Sequence, residues 1–131
     1  MKTSLLILTV TLNTLSLSGQ EDRYINAMKS AQLQMDQASD PDRYLECANQ
    51  FERIAIAEKN RWMPYYYASQ SLALMSYQES DGEKRDLVLD RAQELLDQAL
   101  AIEPGESELH VLQAFLYPSR IMVDPMGRGM I

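Results

Sequence analysis

The sequence predicts an all-α protein of about five amphipathic helices, arranged as tandem antiparallel hairpins after an N-terminal signal peptide. From residue 20 onward, apolar residues recur at steps of three and four, as on one face of a helix. No segment alternates apolar and polar residues as a half-buried strand does. Breaks rich in Asp, Gly and Pro separate the periodic segments. The 131 residues, 46% hydrophobic and 24% charged, leave room for one domain.

The segment 1–19 predicts a signal peptide. Lys2 precedes a leucine-rich stretch that ends at Ser18 and Gly19, and this order of charge, apolar core and small residues is typical of secretory signals. The stretch falls short of the roughly 20 apolar residues that a membrane span needs. We expect cleavage near Ser18 or Gly19, which removes the stretch and leaves no stable span in the mature chain. An uncleaved anchor and a buried first helix are the alternatives. No cysteine follows to carry a lipid, and we expect the domain 20–131 to be exported to the periplasm or outside the cell.

Two helices are predicted in the first half of the domain. The first runs from Glu21 to Ala38, and the second runs from Pro41 to about Glu58. Asp40 can cap free backbone donors, and Pro41 suits a first helical position. The predicted inward residues are Tyr24, Ala27, Met28, Ala31, Met35 and Ala38, then Tyr44, Cys47, Ala48, Phe51, Ile54 and Ala55.

Three more helices follow. Pro64 suits the opening turn of the third, the fourth runs from about Lys84 to Ile102, and the fifth starts near Ser107. Pro118 should kink or end the fifth, because proline lacks an N–H donor and clashes with the preceding turn. The third helix is marked by Tyr65, Tyr66, Tyr67, Ala68, Leu72, Met75 and Tyr77, and the fifth carries Leu109, Leu112, Phe115 and Leu116. The predicted inward residues of the fourth are Val88, Ala92, Leu95, Leu96, Ala99 and Leu100.

The pattern of residues repeats along the chain. Phe51 and Leu96 occupy matching places in the second and fourth helices, 45 positions apart. Tyr65 and His110 are separated by the same offset. Two pairs with one offset indicate an internal duplication of a two-helix unit.

The string AQELLDQALAIEP, residues 92–104, resembles the second helix of a tetratricopeptide repeat (TPR), in which small residues allow close packing and proline ends the unit. Ala114 and Tyr117 match the small and aromatic positions of the family's first helix, whereas His110 and Gln113 depart from it. The family repeat is about 34 residues long, so the offset of 45 implies an insertion around residues 78–86. The resemblance implies stacked helical hairpins that bind proteins.

A narrower resemblance covers most of residues 45–129. The segments WMPYYY at 62–67 and RIMVDPMGRG at 120–129 are similar to exported repeat proteins of Bacteroidota. Those relatives have no established reaction. This likeness therefore implies an exported protein built of helical repeats, and it implies no particular reaction.

Composition and motifs argue against several functions. Twelve Lys and Arg against 19 Asp and Glu give a net charge of −7, and no basic face is present to bind nucleic acid. His110 is the sole histidine and lacks the companions of a metal site or a catalytic relay. Glu94 and Asp97 fit a solvated helix face. Cys47, the sole cysteine, leaves no internal disulfide and fits a buried helix position. We expect no enzyme activity, metal or cofactor.

The aromatic residues after the second helix are the candidate binding site. Trp62, Tyr65, Tyr66 and Gln70 lie where two hairpins would meet, and tyrosine combines an apolar ring with a polar tip. Three consecutive tyrosines cannot all face inward. They either line a groove for a protein or peptide partner, or fill the wedge between hairpins. Binding of a glycan or small ligand by Trp62 and Tyr65–Tyr67 is the alternative function.

The fifth helix has no sequence partner. Its residues Leu112, Phe115, Ile121 and Met122 are expected to form an exposed apolar end surface, because repeat stacks need polar caps. Another copy of this chain, a different exported protein, or further helices of a longer chain truncated at Ile131 would each cover it. The sequence thus predicts an exported interaction scaffold with a possible homo-oligomer contact through its last helix.

Overall fold

A computed structural model describes the backbone of residues 2–122 and 124–128, and the side chains of residues 17–122, 124, 126 and 127. Within this part the chain forms α-helices and no strand, which confirms the predicted all-α class. The helices are α1 (Lys2–Asp36), α2 (Pro41–Glu58), α3 (Trp62–Gln78), α4 (Gly82–Ile102), α5 (Ser107–Ile121) and α6 (Pro125–Arg128).

Helix α1 begins well before the predicted start at Glu21. Its backbone is helical through Ser18 and Gly19, because a single glycine costs a helix only about 1 kcal/mol and no proline interrupts the segment. Most of the predicted signal peptide lies outside the described side chains. Among the described residues, none of the helices combines the length and the apolar character that crossing a membrane requires.

Capping residues set the starts of α2 and α4. The Asp40 carboxylate accepts a hydrogen bond of 2.9 Å from the backbone N–H of Arg43, and Pro41 is the first helical residue, as predicted. Asp81 accepts a bond of 3.1 Å from the N–H of Lys84 in the same way. This cap starts α4 at Gly82, earlier than the predicted Lys84. Helix α3 also starts early, at Trp62, with Pro64 in its first turn.

Helix α3 lies at the centre of the structure. It packs against α2 and α4 and contacts α5, while α1 packs on α2 and α5 packs on α4. Small residues allow close approach: the buried Ser69 hydroxyl donates a 2.7 Å hydrogen bond to the Ala92 carbonyl. The largest fully buried apolar side chains are Phe51, Leu72, Leu89, Leu96, Leu109 and Leu116. Among these six, only Leu89 was not singled out as an apolar helix residue in the sequence.

Polar side chains join α4 to two other helices, α2 and α5. Arg91 on α4 donates a 2.8 Å hydrogen bond to the Asn49 side chain on α2 and forms an ion pair with Glu52. Gln93 on α4 and Gln113 on α5 exchange two amide hydrogen bonds, of 2.7 and 2.9 Å. These contacts fix the relative rotation of α2, α4 and α5, because each needs both partners in one geometry.

Pro118 does not end α5, which continues to Ile121. Proline cannot donate to the carbonyl four residues earlier, at Ala114, so one helical bond is lost, but only three helical residues follow Pro118. Neighbouring donors support this turn. The Ser119 hydroxyl donates to the Phe115 carbonyl at 2.9 Å, and the N–H of Met122 donates to the Pro118 carbonyl at 3.1 Å.

Candidate functional site

The aromatic residues of α3 divide between core and surface. The Tyr67 ring stacks on Phe51 of α2, with centroids 5.2 Å apart and planes 21° apart, so it packs into the interior. Tyr66 meets Trp62 and Tyr67 edge-on, at centroid distances of 5.9 and 5.0 Å. Trp62 and Tyr65 are half-buried against the same core. The cluster therefore fills space between helices and also holds the Tyr66 ring in a fixed orientation.

A groove of about 140 Å³ lies between α3 and α5. It joins the two sets of residues that the sequence singled out separately: Tyr66 and Gln70 from α3, with Leu112 and Phe115 from α5. Half of each predicted set meets here, whereas Trp62 and Tyr65 of the first set and Ile121 and Met122 of the second do not line the groove. Its lining consists of Tyr66, Gln70, Ala73, Leu74, Val111, Leu112 and Phe115.

The groove is apolar along its length and polar at one end. The Gln70 side-chain amide donates to the Tyr66 hydroxyl at 3.3 Å. That hydroxyl donates in turn to the exposed Glu108 carboxylate of α5, at a long 3.5 Å. Burial, and then the negative charge of Glu108, raise the pKa of Tyr66 above its usual 10.0, so the phenol stays protonated at neutral pH. The lining residues therefore offer apolar walls, and the Glu108 carboxylate lies next to them, beside the Tyr66 hydroxyl.

The predicted end surface of α5 differs from the structure. Leu112 is only 5% exposed and belongs to the core, since α5 packs against both α3 and α4. Phe115 is half-buried, and its ring lies 5.1 Å from the ring of Tyr77. Ile121 is also half-buried, whereas Met122 is 58% exposed. The expectation of four exposed residues is wrong for Leu112 and holds fully for Met122.

The sequence-based prediction of the site did not include four residues in or beside the groove: Ala73, Leu74, Glu108 and Val111. Val111 is 65% exposed and lies 45 positions after Tyr66, the offset of the internal repeat. Applying that offset to Tyr66 would have found it. Nothing in the sequence marks the other three, because their role depends on where α5 docks.

The other singled-out residues form no reactive site. Cys47 is buried, and burial raises the pKa of its thiol, which makes it a poor nucleophile. The His110 ring nitrogen Nε2 lies 2.8 Å from the Pro104 carbonyl. The exposed Asp97 carboxylate accepts a 2.8 Å hydrogen bond from the Gln93 amide. In the described part of the chain, no group of three or more His, Cys, Asp or Glu side chains could hold a metal ion.

Arg61 organises a second polar cluster, at the start of α3. Its guanidinium lies 4.0 Å from the centroid of the Tyr24 ring and pairs with Glu21 of α1. It also lies 3.4 Å from Glu58 of α2. This cluster ties α1 to the α2–α3 loop through partly exposed charges, and we assign it a structural role.

A comparison with protein-family models, with curated proteins and with solved structures found no match to this chain. Its function is therefore inferred from its fold and its surface.

Proposed function

We propose that this chain is an exported, TPR-like interaction scaffold without catalytic activity, which binds a peptide segment of a partner protein in the groove between α3 and α5. The observation that supports this function best is the groove itself, where Tyr66 and Gln70 face Val111 and Phe115. A rigid tyrosine beside apolar residues is a common centre of protein recognition, because it buries a large area at little entropic cost.

Internal repetition supports the tandem hairpin arrangement. Helices α3 and α5 begin at Trp62 and Ser107, which are 45 positions apart. Phe51 in α2 and Leu96 in α4 have the same offset, and both are fully buried. Each unit of the proposed repeat thus contributes one helix to the groove and one helix behind it.

The size and charge of the groove indicate the partner chemistry. Its volume of about 140 Å³ is smaller than the roughly 300–1,000 Å³ of pockets that enclose a small ligand. It is better suited to one apolar side chain of a peptide than to a glycan. Glu108 at the rim favours a lysine or arginine next to that side chain, since opposite charges raise the rate and specificity of association.

Replacing Tyr66 with alanine should weaken peptide binding at least thirtyfold, or about 2 kcal/mol, as for a typical interface anchor. Peptides would be selected from a random display library on the immobilised full chain, and their affinity measured by calorimetry. We expect the selected peptides to share one apolar residue next to a basic one. Tyr44→Ala is the matched control, because Tyr44 is a half-buried tyrosine on α2, outside the groove.

The melting temperature of Tyr66→Ala decides between a binding role and a packing role. A change of a few degrees with lost binding supports the groove. Equal binding to both variants, or a peptide panel without binders, contradicts the proposal. Binding of a soluble oligosaccharide that depends on Trp62 and Tyr65 would favour the glycan function instead.

Export is tested by expressing the full chain in a Gram-negative host. We expect a periplasmic product whose intact mass places its first residue at Gly19 or Gln20, because signal peptidase cuts after small residues. Replacing Leu8 with arginine should retain the uncleaved chain in the cell, since a charge interrupts the apolar stretch. Leu33→Arg, on an exposed face of α1, is the control and should leave export unchanged. A full-length mass in the periplasm would contradict cleavage.

A further inference from the structure

A second, smaller depression adjoins the groove between α3 and α5. The Tyr77 ring lies 5.1 Å from the ring of Phe115, which lines the groove, and Tyr77 itself lines the second depression. The two depressions therefore meet at this pair of rings. The second one has a volume of about 30 Å³, and we call it the arginine notch. Its lining consists of Ser76, Tyr77, Arg85, Ser119 and Met122.

The groove and the arginine notch follow one another along a single seam, because α3 and α5 run in the same direction. Near the start of the seam, the Tyr66 hydroxyl bonds to Glu108 of α5. Near its end, Ser76 of α3 and Ser119 of α5 line the notch together. Glu108 and Ser119 lie eleven residues apart on α5. At a rise of about 1.5 Å per helical residue, the seam is ~16 Å long.

Arg85 presents an oriented positive charge to the notch. Its guanidinium donates to the Glu79 carbonyl through Nε, at 3.0 Å, and through Nη2, and these bonds fix the side chain. Within the described residues, Arg85 forms no ion pair and its Nη1 group has no hydrogen-bond partner. The Ser76 and Ser119 hydroxyls already donate to carbonyls of their own helices. Arg85 therefore supplies the donors for an anion in the notch, and a guanidinium is well suited to a carboxylate.

We propose that the peptide bound in the groove continues past the two rings and places an aspartate or glutamate side chain in the arginine notch. This inference rests on the proposed peptide binding in the groove. The seam carries opposite charges at its two ends, Glu108 and Arg85, and each end attracts a residue of the opposite charge. An extended peptide advances about 3.3 Å per residue, so ~16 Å corresponds to about five residues. The partner segment thus has a basic and an acidic residue about five positions apart, with an apolar residue between them.

Three synthetic peptides with blocked ends test this pattern on the full chain by calorimetry. Each contains one lysine, a leucine directly after it, and otherwise glycine and serine apart from one variable residue. The first peptide carries a glutamate about five positions after the lysine, the second carries a glutamine there, and the third carries the glutamate directly after the leucine. We expect the second and third to bind about fivefold more weakly than the first, as for the loss of one partly exposed ion pair. Blocked ends ensure that the glutamate supplies the only carboxylate.

Arg85→Gln tests whether the carboxylate acts through this guanidinium. The variant should bind the first two peptides equally, and this comparison within one protein does not depend on the stability of the variant. Lys84→Gln is the matched control, because Lys84 is the exposed neighbour of Arg85 in the first turn of α4, and it should keep the fivefold preference of the parent.

The outcomes separate the notch from the groove. If the parent binds all three peptides equally, or Arg85→Gln keeps the preference for glutamate, the notch does not hold a carboxylate. If none of the three peptides binds while peptides selected from the library do, the charge pattern is wrong and the groove function stands. A library without binders contradicts the groove function itself, and the notch inference with it.

Discussion

Replacing Phe51 with alanine is expected to lower the free energy of unfolding by about 3–5 kcal/mol, the largest loss of any single truncation considered in this chain. Phe51 is fully buried in α2, and its ring stacks on Tyr67 of α3. Alanine removes the apolar area and the ring contact, and leaves a cavity where two helices meet. Small domains are stable by about 5–15 kcal/mol, so the variant should lose a large share of its stability.

Ile56→Ala provides the control for this prediction. Ile56 lies on the same helix but is 62% exposed, and alanine favours helix more than isoleucine does. Its stability should change by less than about 0.5 kcal/mol. Chemical denaturation followed by circular dichroism measures both variants. Similar losses at positions 51 and 56 would mean that the apolar face of α2 is oriented differently from the structure.

The helices and their inner faces could be predicted because local chemistry determines them. The predicted bounds of α2 match the structure, since Asp40 and Pro41 mark its start. The spacing of Cys47, Phe51 and Ala55 identifies the face that is buried. Such signals extend over one or two helical turns, and they do not depend on how distant helices are placed.

The groove could not be predicted, because it depends on the position of α5. Leu112 and Val111 are adjacent apolar residues on one helix, and only the docking of α5 on α3 and α4 decides that one is buried and the other exposed. Pro118 is a similar case. Its sequence context predicts a break, but the remaining turn keeps its helical form with the help of the Ser119 hydroxyl.

The close approach of α3 and α4 leads to the second large effect. Ala92 is fully buried, and its carbonyl accepts the 2.7 Å hydrogen bond from Ser69. A larger leucine at this position would have to displace core neighbours, because the Ala92 side chain is fully buried. We expect Ala92→Leu to lower the free energy of unfolding by about 1–3 kcal/mol through overpacking, with a further loss if the bond to Ser69 breaks.

Ala101→Leu separates this packing effect from a change in side-chain chemistry. Ala101 is exposed on the same helix, so an added leucine should change stability by less than about 0.5 kcal/mol. Amide hydrogen exchange should also show faster opening of α3 and α4 in Ala92→Leu, since overpacking forces these two helices apart. If the variant keeps the parent's stability and exchange rates, Ala92 does not lie at a close helix crossing. The small residues that suggested a TPR-like hairpin would then have no packing role in this chain.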